Sequence, residues 1–246
     1  MVWNILFLQQ SGRSMPSKGL VYYTDNLTDQ AILTAGQSRL NTMGLPIVSV
    51  SLKPIDFGHN IVLPLERSCS TMFKQILTGI EAATTDFIFL VEHDVLYHSS
   101  HFEYTPPTDD KFFYNLNSWK VRSTDGQALF YICQQTGFCV ASRRIMLEHY
   151  RERVARVEKE GFRRYNGYEP GTHRPPRGYC NYGSDNWMSA APNIDIRHAN
   201  NLTWSRWRPD QFRRKVRGWQ LADDVPEWGH TKGRFDEFLK EHSTVK

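Results

Sequence analysis

Short apolar runs and amphipathic stretches alternate through the first half of the chain. Residues 19–23 (GLVYY) form a β-rich run that ends in the polar turn Thr24-Asp25-Asn26. Asp25 or Asn26 can cap the next segment, in which Ile32, Leu33 and Leu40 share a helical face. Residues 46–52 (PIVSVSL) read as a second strand and 60–63 as a short third. From Ser70 onward, Met72, Phe73, Ile76, Leu77 and Ile80 recur at helical spacing, which predicts an amphipathic helix ending near Thr85. Residues 86–91 (DFIFLV) are almost wholly apolar, as expected of a strand buried on both faces of a parallel sheet. This order predicts an α/β fold with a mainly parallel central sheet and helices on both sides. Ligands of such sheets bind just beyond the carboxyl ends of the strands, and the residues that follow Val91 are Glu92, His93 and Asp94.

The second half is patterned differently. Residues 111–119 and 129–132 read as strands of a small antiparallel part, and 138–141 as another. Residues 143–160 predict a highly charged helix with Ile145, Leu147, Tyr150, Val154 and Val157 on its apolar side. Residues 161–183, rich in Gly, Pro, Tyr and Arg, show no periodicity and predict a long loop of the kind that often carries function. A short strand is expected over 193–196. With no repeat and no linker-like stretch, one domain over residues 1–246 is the expected organisation.

Composition adds three constraints. No run approaches the roughly 18 apolar residues of a membrane helix. The apolar opening, residues 2–8, has no basic flank or cleavage site, so it reads as a buried strand or docking segment and not a signal peptide. Cys69, Cys133, Cys139 and Cys180 show no CxxC pairing, which argues against zinc and for reduced thiols in a cytoplasmic protein. Charge is uneven: residues 140–220 hold 17 Lys/Arg against 8 Asp/Glu, a balance of +9, whereas the whole chain carries only +4. That segregation suits an anionic partner.

Two acids one residue apart at a strand end point to the same side by strand alternation, and their repulsion is relieved if a cation sits between them. Oxygen ligands of this kind suit Mg2+ or Mn2+, above all where diphosphate oxygens complete the shell. The alternative is an acidic turn that caps the next element. The stretch RSCSTMFKQILTGIEAATTDFIFLVEHDVLY (residues 67–97) resembles the GT-A glycosyltransferases with their DxD-type motif. The resemblance spans about residues 19–205 and implies a Rossmann-like domain that takes a nucleoside-diphosphate sugar, a UDP-sugar by preference, with Mn2+ or Mg2+. It divides the chain into a nucleotide-sugar half (19–110), an acceptor and catalytic half (111–205) and a basic C-terminal extension (206–246).

By that resemblance Asp94 is the metal ligand, and Glu92 lies at the ribose or the metal. His93 should point to the opposite face and be packed or hydrogen-bonded there, not a ligand. Asp185, in Gly183-Ser184-Asp185-Asn186-Trp187, is the expected base of an inverting transfer, or else the N-cap of a helix starting at Asn186. His198, after the strand of residues 193–196, is the expected further metal ligand. Thr24, Asp25 and Asn26 occupy the loop that contacts the base, and Arg67 lies where it can reach a phosphate or the base.

Three readings compete for the tail, where Trp204, Arg206, Trp207 and Arg208 precede Arg213-Arg214-Lys215-Val216-Arg217-Gly218-Trp219. Arg206 or Arg208 contacts the donor diphosphate; the cations hold an anionic acceptor such as DNA, together with Arg163, Arg164, Arg174 and Arg177; or the stretch is a solvated face over packed Trp. A nucleotidyltransferase of similar fold is the rival enzyme class, although residues 22–29 contain no Gly-rich phosphate loop. A nucleic-acid-binding protein without catalysis is the other rival.

Overall fold

The computed structural model describes residues 15–174, 179–213 and 215–243. The apolar opening at 2–8 and the arginines Arg177 and Arg214 lie outside these. The chain runs β1 (Lys18–Thr24), α1 (Gln30–Asn41), β2 (Ile47–Ser51), β3 (His59–Val62), α2 (Cys69–Ala82) and β4 (Phe87–Glu92). Then come β5 (Val95–Leu96), the short α3 (Ser100–Glu103), β6 (Lys111–Asn115), β7 (Ser118–Arg122), β8 (Ala128–Phe130) and β9 (Cys139–Ser142). The long α4 (Arg143–Glu160), β10 (Gly183–Trp187) and β11 (Asn193–Arg197) follow. Last are β12 (Gln220–Ala222), β13 (Asp224–Val225), β14 (Gly229–His230) and α5 (Phe235–Ser243).

A seven-stranded sheet in the order β10-β6-β9-β4-β1-β2-β3 forms the centre, and within it only β9 runs against its neighbours. The mainly parallel α/β sheet expected from the alternation is present. Its strands are apolar on both faces because both are covered. Val21 and Tyr23 of β1 and Ile88 and Leu90 of β4 pack with Phe73, Ile76 and Ile80 of α2 and Ile145, Met146 and Tyr150 of α4. The alternate residues Leu20, Tyr22, Phe89 and Val91 face a second cluster with Leu40, Tyr97 and Phe138. Gly79 lets α2 sit close to the sheet: a Cβ there would lie 2.4 Å from the Val21 side chain.

A second sheet, ordered β12-β8-β7-β11-β5, stands beside the first. Asn193–Arg197 is its parallel partner to β7, and its short contact with β5 ties it to the end of β4. Among the described residues no helix is long and apolar enough to cross a membrane. All four cysteines are free thiols.

Four expectations need correction. Residues 111–119 do not make one strand: Asn117 N–H donates to Asn115 Oδ1 (2.9 Å), and this turn sends β6 into one sheet and β7 into the other. No helix starts at Asn186, because residues 183–187 pair in parallel with β6 as an edge strand. The cap of α1 is Asp29, whose carboxylate accepts from Ala31 N–H (2.8 Å), and not Asp25 or Asn26. Residues 206–246 are more than a basic extension: α5 packs on α1, and Val225, Trp228, Phe235, Phe238 and Leu239 are buried in a third core with Ile32, Leu96 and Ile194.

Candidate metal centre and its cleft

The carboxyl ends of β1 and β4, the N-terminus of α2 and the loop after β11 enclose a cleft. Strand alternation holds up to Glu92, which follows Ile88 and Leu90 onto the α2 face. There Glu92 Oε1 accepts from Tyr23 Oη (2.6 Å). The strand then stops, and His93-Asp94 form a tight turn into β5. The two residues after Glu92 therefore do not continue the alternation.

That turn changes the facing expected of His93, which lines the cleft instead of pointing away from it. His93 lines the cleft with Asp94, and with His198 the two form a group whose ligand atoms lie within 4.8 Å of one another. His93 Nδ1 is 3.3 Å from the Tyr23 carbonyl, and Nε2 is 3.8 Å from Asp25 Oδ1. Backbone pairing brings His198 to this point. Ile196 N–H donates to the Asp94 carbonyl (2.8 Å), which fixes the end of β11 against the turn. Asn201 then locks the corner, accepting from His198 N–H (2.6 Å) and donating from Nδ2 to Asp94 Oδ2 (2.5 Å).

Electrostatics within the group are uneven. Burial raises the affinity of Asp94 for its proton, but His93, His198 and Arg197 outweigh it and hold the carboxyl below its ordinary value. Burial, then the Asp94 charge, push Glu92 up to about 8 against the Tyr23 hydroxyl. Gly137 makes room for this carboxyl, since a Cβ at 137 would lie 2.8 Å from it. His198 Nε2 is buried with no hydrogen-bond partner, although Asp94 Oδ2 stands 3.4 Å away. An unpartnered imidazole nitrogen, a second imidazole and a carboxylate held ionised are a donor set that could hold a divalent metal ion. Glu92, also expected as a ligand, lines the cleft but lies outside the three-residue group, with one oxygen committed to Tyr23.

Most of the expected donor-side residues converge here. Thr24, Asp25 and Arg67 line the cleft with Glu92 and Asp94. Arg67 Nε donates to Asp25 Oδ2 (2.5 Å) and its Nη2 to the Asn200 carbonyl (2.5 Å), which closes one wall. Asn26 does not line the cleft. Its φ is +61° and its Oδ1 accepts from Leu52 and Lys53 N–H (2.8 and 2.9 Å), so it clasps the loop after β1 to the end of β2. Arg206 and Arg208 do not reach the cleft either: Arg206 lines a neighbouring one, and Arg208 is exposed beside Asp210. The second cation of the lining is Arg197, which also donates to Ser205 Oγ (2.8 Å) and the Thr203 carbonyl (2.8 Å).

Asp185 is not brought to the cleft. It is level with Phe89 through Phe113 and Val140, midway along β4. It stands three strand positions, or about 14 Å, to the side. Its carboxylate is exposed and paired with Lys111 (2.9 Å). His93, Arg197 and Asn201 are the site residues that sequence patterning missed. The only signal for them was adjacency, to Asp94 in one case and His198 in the other two. No protein-family model and no curated protein sequence matches this chain.

Proposed function

We propose that the protein is a metal-dependent glycosyltransferase that moves a sugar from a nucleoside-diphosphate sugar to an acceptor hydroxyl. The observation that carries this reading is the His93-Asp94-His198 group at the carboxyl end of a parallel sheet, inside a cleft that also holds two arginines. A sheet of this kind places ligands at that edge. His93, Asp94 and His198 would hold Mn2+, which supplies positive charge to a departing diphosphate. Arg67 and Arg197 line the same cleft, each beside a carboxylate (Asp25 at 2.5 Å, Asp195 at 3.3 Å), and preorganised cationic charge of this sort favours the bond-breaking step where the diphosphate displaces those partners. Thr24 and Asp25 suit the nucleoside end. In the transfer the acceptor oxygen bonds to the anomeric carbon, the bond from that carbon to the diphosphate oxygen breaks with its electron pair, and the hydroxyl proton passes to the departing diphosphate oxygen or to water.

Asp185 has no part in this proposal, given its place on the edge strand. One feature of the ring of His198 bears on loading. Its Nδ1 accepts from Asn200 N–H at 3.3 Å, and a ring that ligates through Nε2 carries its proton on Nδ1, so this contact is given up.

The test is thermal stability against a panel of UDP- and other nucleotide-sugars with and without Mn2+. A donor should raise the melting temperature only with the metal, and UDP should be released slowly from the responding sugar. Asp94→Ala and His198→Ala should abolish both effects. Release of inorganic pyrophosphate from nucleoside triphosphates, with no response to any nucleotide-sugar, would instead mark nucleotidyl transfer.

A further inference from the structure

A second, wider cleft adjoins the first and shares Arg197 and Thr203 with it. Its lining comes from Lys120 of β7, from the segment after β8, from the loop containing Arg164 and Tyr168, and from the tail around residues 204–212. A shallower depression with Arg164, Arg206 and Arg213 continues it outward. Among the described residues no Asp or Glu lines either depression. Among the described residues no ion pair engages Arg164, Arg206 or Arg213, whereas the deeper Arg197 and Lys120 are both close to Asp195 (3.3 and 4.0 Å). The outer cations therefore remain available to an anion.

Aromatic faces are interleaved with those charges. Trp204 is 73% exposed, far more than a packed tryptophan. Phe212 and Trp207 lie beside it in the lining, with Arg206 5.2 Å from the Phe212 ring centroid. Tyr168 presents a ring already stacked on His173 at 3.9 Å. A neutral glycan also stacks on aromatic rings, but its hydroxyls call for carboxylates and amides, and this lining offers only Gln134 and Gln135. Regularly spaced phosphates with flat, unpaired bases match a groove of arginines and exposed rings better. Bases paired in a duplex would not reach the Trp204 face.

We propose that this cleft is the acceptor site and that its acceptor is single-stranded nucleic acid. Phosphates lie against Arg164, Arg206 and Arg213, and a base stacks on Trp204. A hydroxyl of the strand reaches the donor cleft across the Arg197–Thr203 border. The role as acceptor rests on the glycosyltransferase reading, whereas the binding itself does not.

Fluorescence anisotropy with a labelled mixed-sequence single-stranded DNA 12-mer tests the binding, with its duplex and a sulfated glycan fragment of matched charge as comparisons. The single strand should bind tightest, with affinity falling steeply as salt rises. Trp204→Ala should weaken the single strand about tenfold, one lost stacking contact, and leave the sulfated glycan unaffected. The triple variant Arg164→Ala/Arg206→Ala/Arg213→Ala should lower the slope of log K against log salt by about 2. All these side chains are exposed, and circular dichroism verifies that the variants fold. Equal or tighter binding of the duplex or the sulfated glycan, an unchanged salt slope in the triple variant, or full affinity in Trp204→Ala would overturn the proposal. Stabilisation by UDP-sugar with Mn2+, measured on the same wild-type sample, separates the two readings. If it persists while the oligonucleotide fails, only the acceptor is wrong; if the oligonucleotide binds without it, the donor chemistry is wrong.

Discussion

His198 and Asp94 show how a few ångströms of backbone decide chemistry. A buried imidazole nitrogen without a partner costs stability unless something binds it, and Nε2 of His198 faces a carboxylate and a second imidazole. Saturating Mn2+, at about a hundred times its dissociation constant, should stabilise the fold by about 2.7 kcal/mol. Calorimetry or thermal shift should show this in the wild type and not in Asp94→Ala. A second carboxyl makes a prediction of different sign. Burial raises Glu169 from 4.5 to about 7, against the Thr136 hydroxyl that donates to it and the Arg153 charge. A carboxyl with a raised folded-state value binds its proton more tightly when folded, so stability falls as pH rises from about 4.5 towards 7. Glu169→Gln keeps an acceptor for Thr136 and removes the titration. Urea unfolding across that window should show the wild type losing up to about 3 kcal/mol relative to the variant, with less where water reaches the carboxyl. Parallel pH profiles for the two proteins would show that Glu169 ionises normally.

At the scale of elements, the sequence pattern was most legible where one periodicity ran uninterrupted. Helix α4 spans the predicted residues 143–160, and β1, β2, α2 and β4 lie within a few residues of their expected places. These segments take their form from apolar periodicity alone. The failures share another cause, dependence on a distant partner. Residues 183–187 carry no strand-like pattern and become β10 only because β6 offers an unpaired edge. The turn at Asn115-Leu116-Asn117 depends on a side chain bonding its own backbone within an otherwise strand-like stretch. The site followed the same division. Asp94, Thr24, Asp25 and Arg67, expected at strand and helix ends, do line the cleft, whereas His93 required the turn that ends strand alternation. Arg197 required the fold of the loop after β11. Helix α5 carries no signal of its own in the sequence pattern described above, and its weight can be measured. Phe238 is fully buried between Trp228 and the α1 side of the third core. Phe238→Ala should therefore cost about 3–5 kcal/mol in equilibrium unfolding. A loss below 1 kcal/mol would show that α5 is only loosely docked.

Over the whole molecule, the metal group lies where two sheets meet. Asp94 leaves β4 of the seven-stranded sheet, and His198 leaves β11 of the five-stranded one. The junction is held by the Ile196–Asp94 backbone bond and the Asn201 bridge. A ligand that binds both sides stabilises the folded state by mass action and draws that free energy from contacts spanning the two sheets. Its effect on local opening should therefore be confined to that seam. Hydrogen exchange with and without Mn2+ should show slower exchange in the segment around residues 92–96 and at residues 196–198 together. Local opening in the edge strand β3, three strands away from β4, should be unchanged. Asn200 should behave in the opposite way. Its N–H donates to His198 Nδ1 at 3.3 Å, the nitrogen that takes up the ring proton when Nε2 ligates, so its exchange should quicken on loading. Amides that open only by global unfolding should slow throughout the chain; slowing confined to those, with none in the local openings at the seam, would count against binding there. Slowing on only one side of the seam would place the ion outside the His93-Asp94-His198 group.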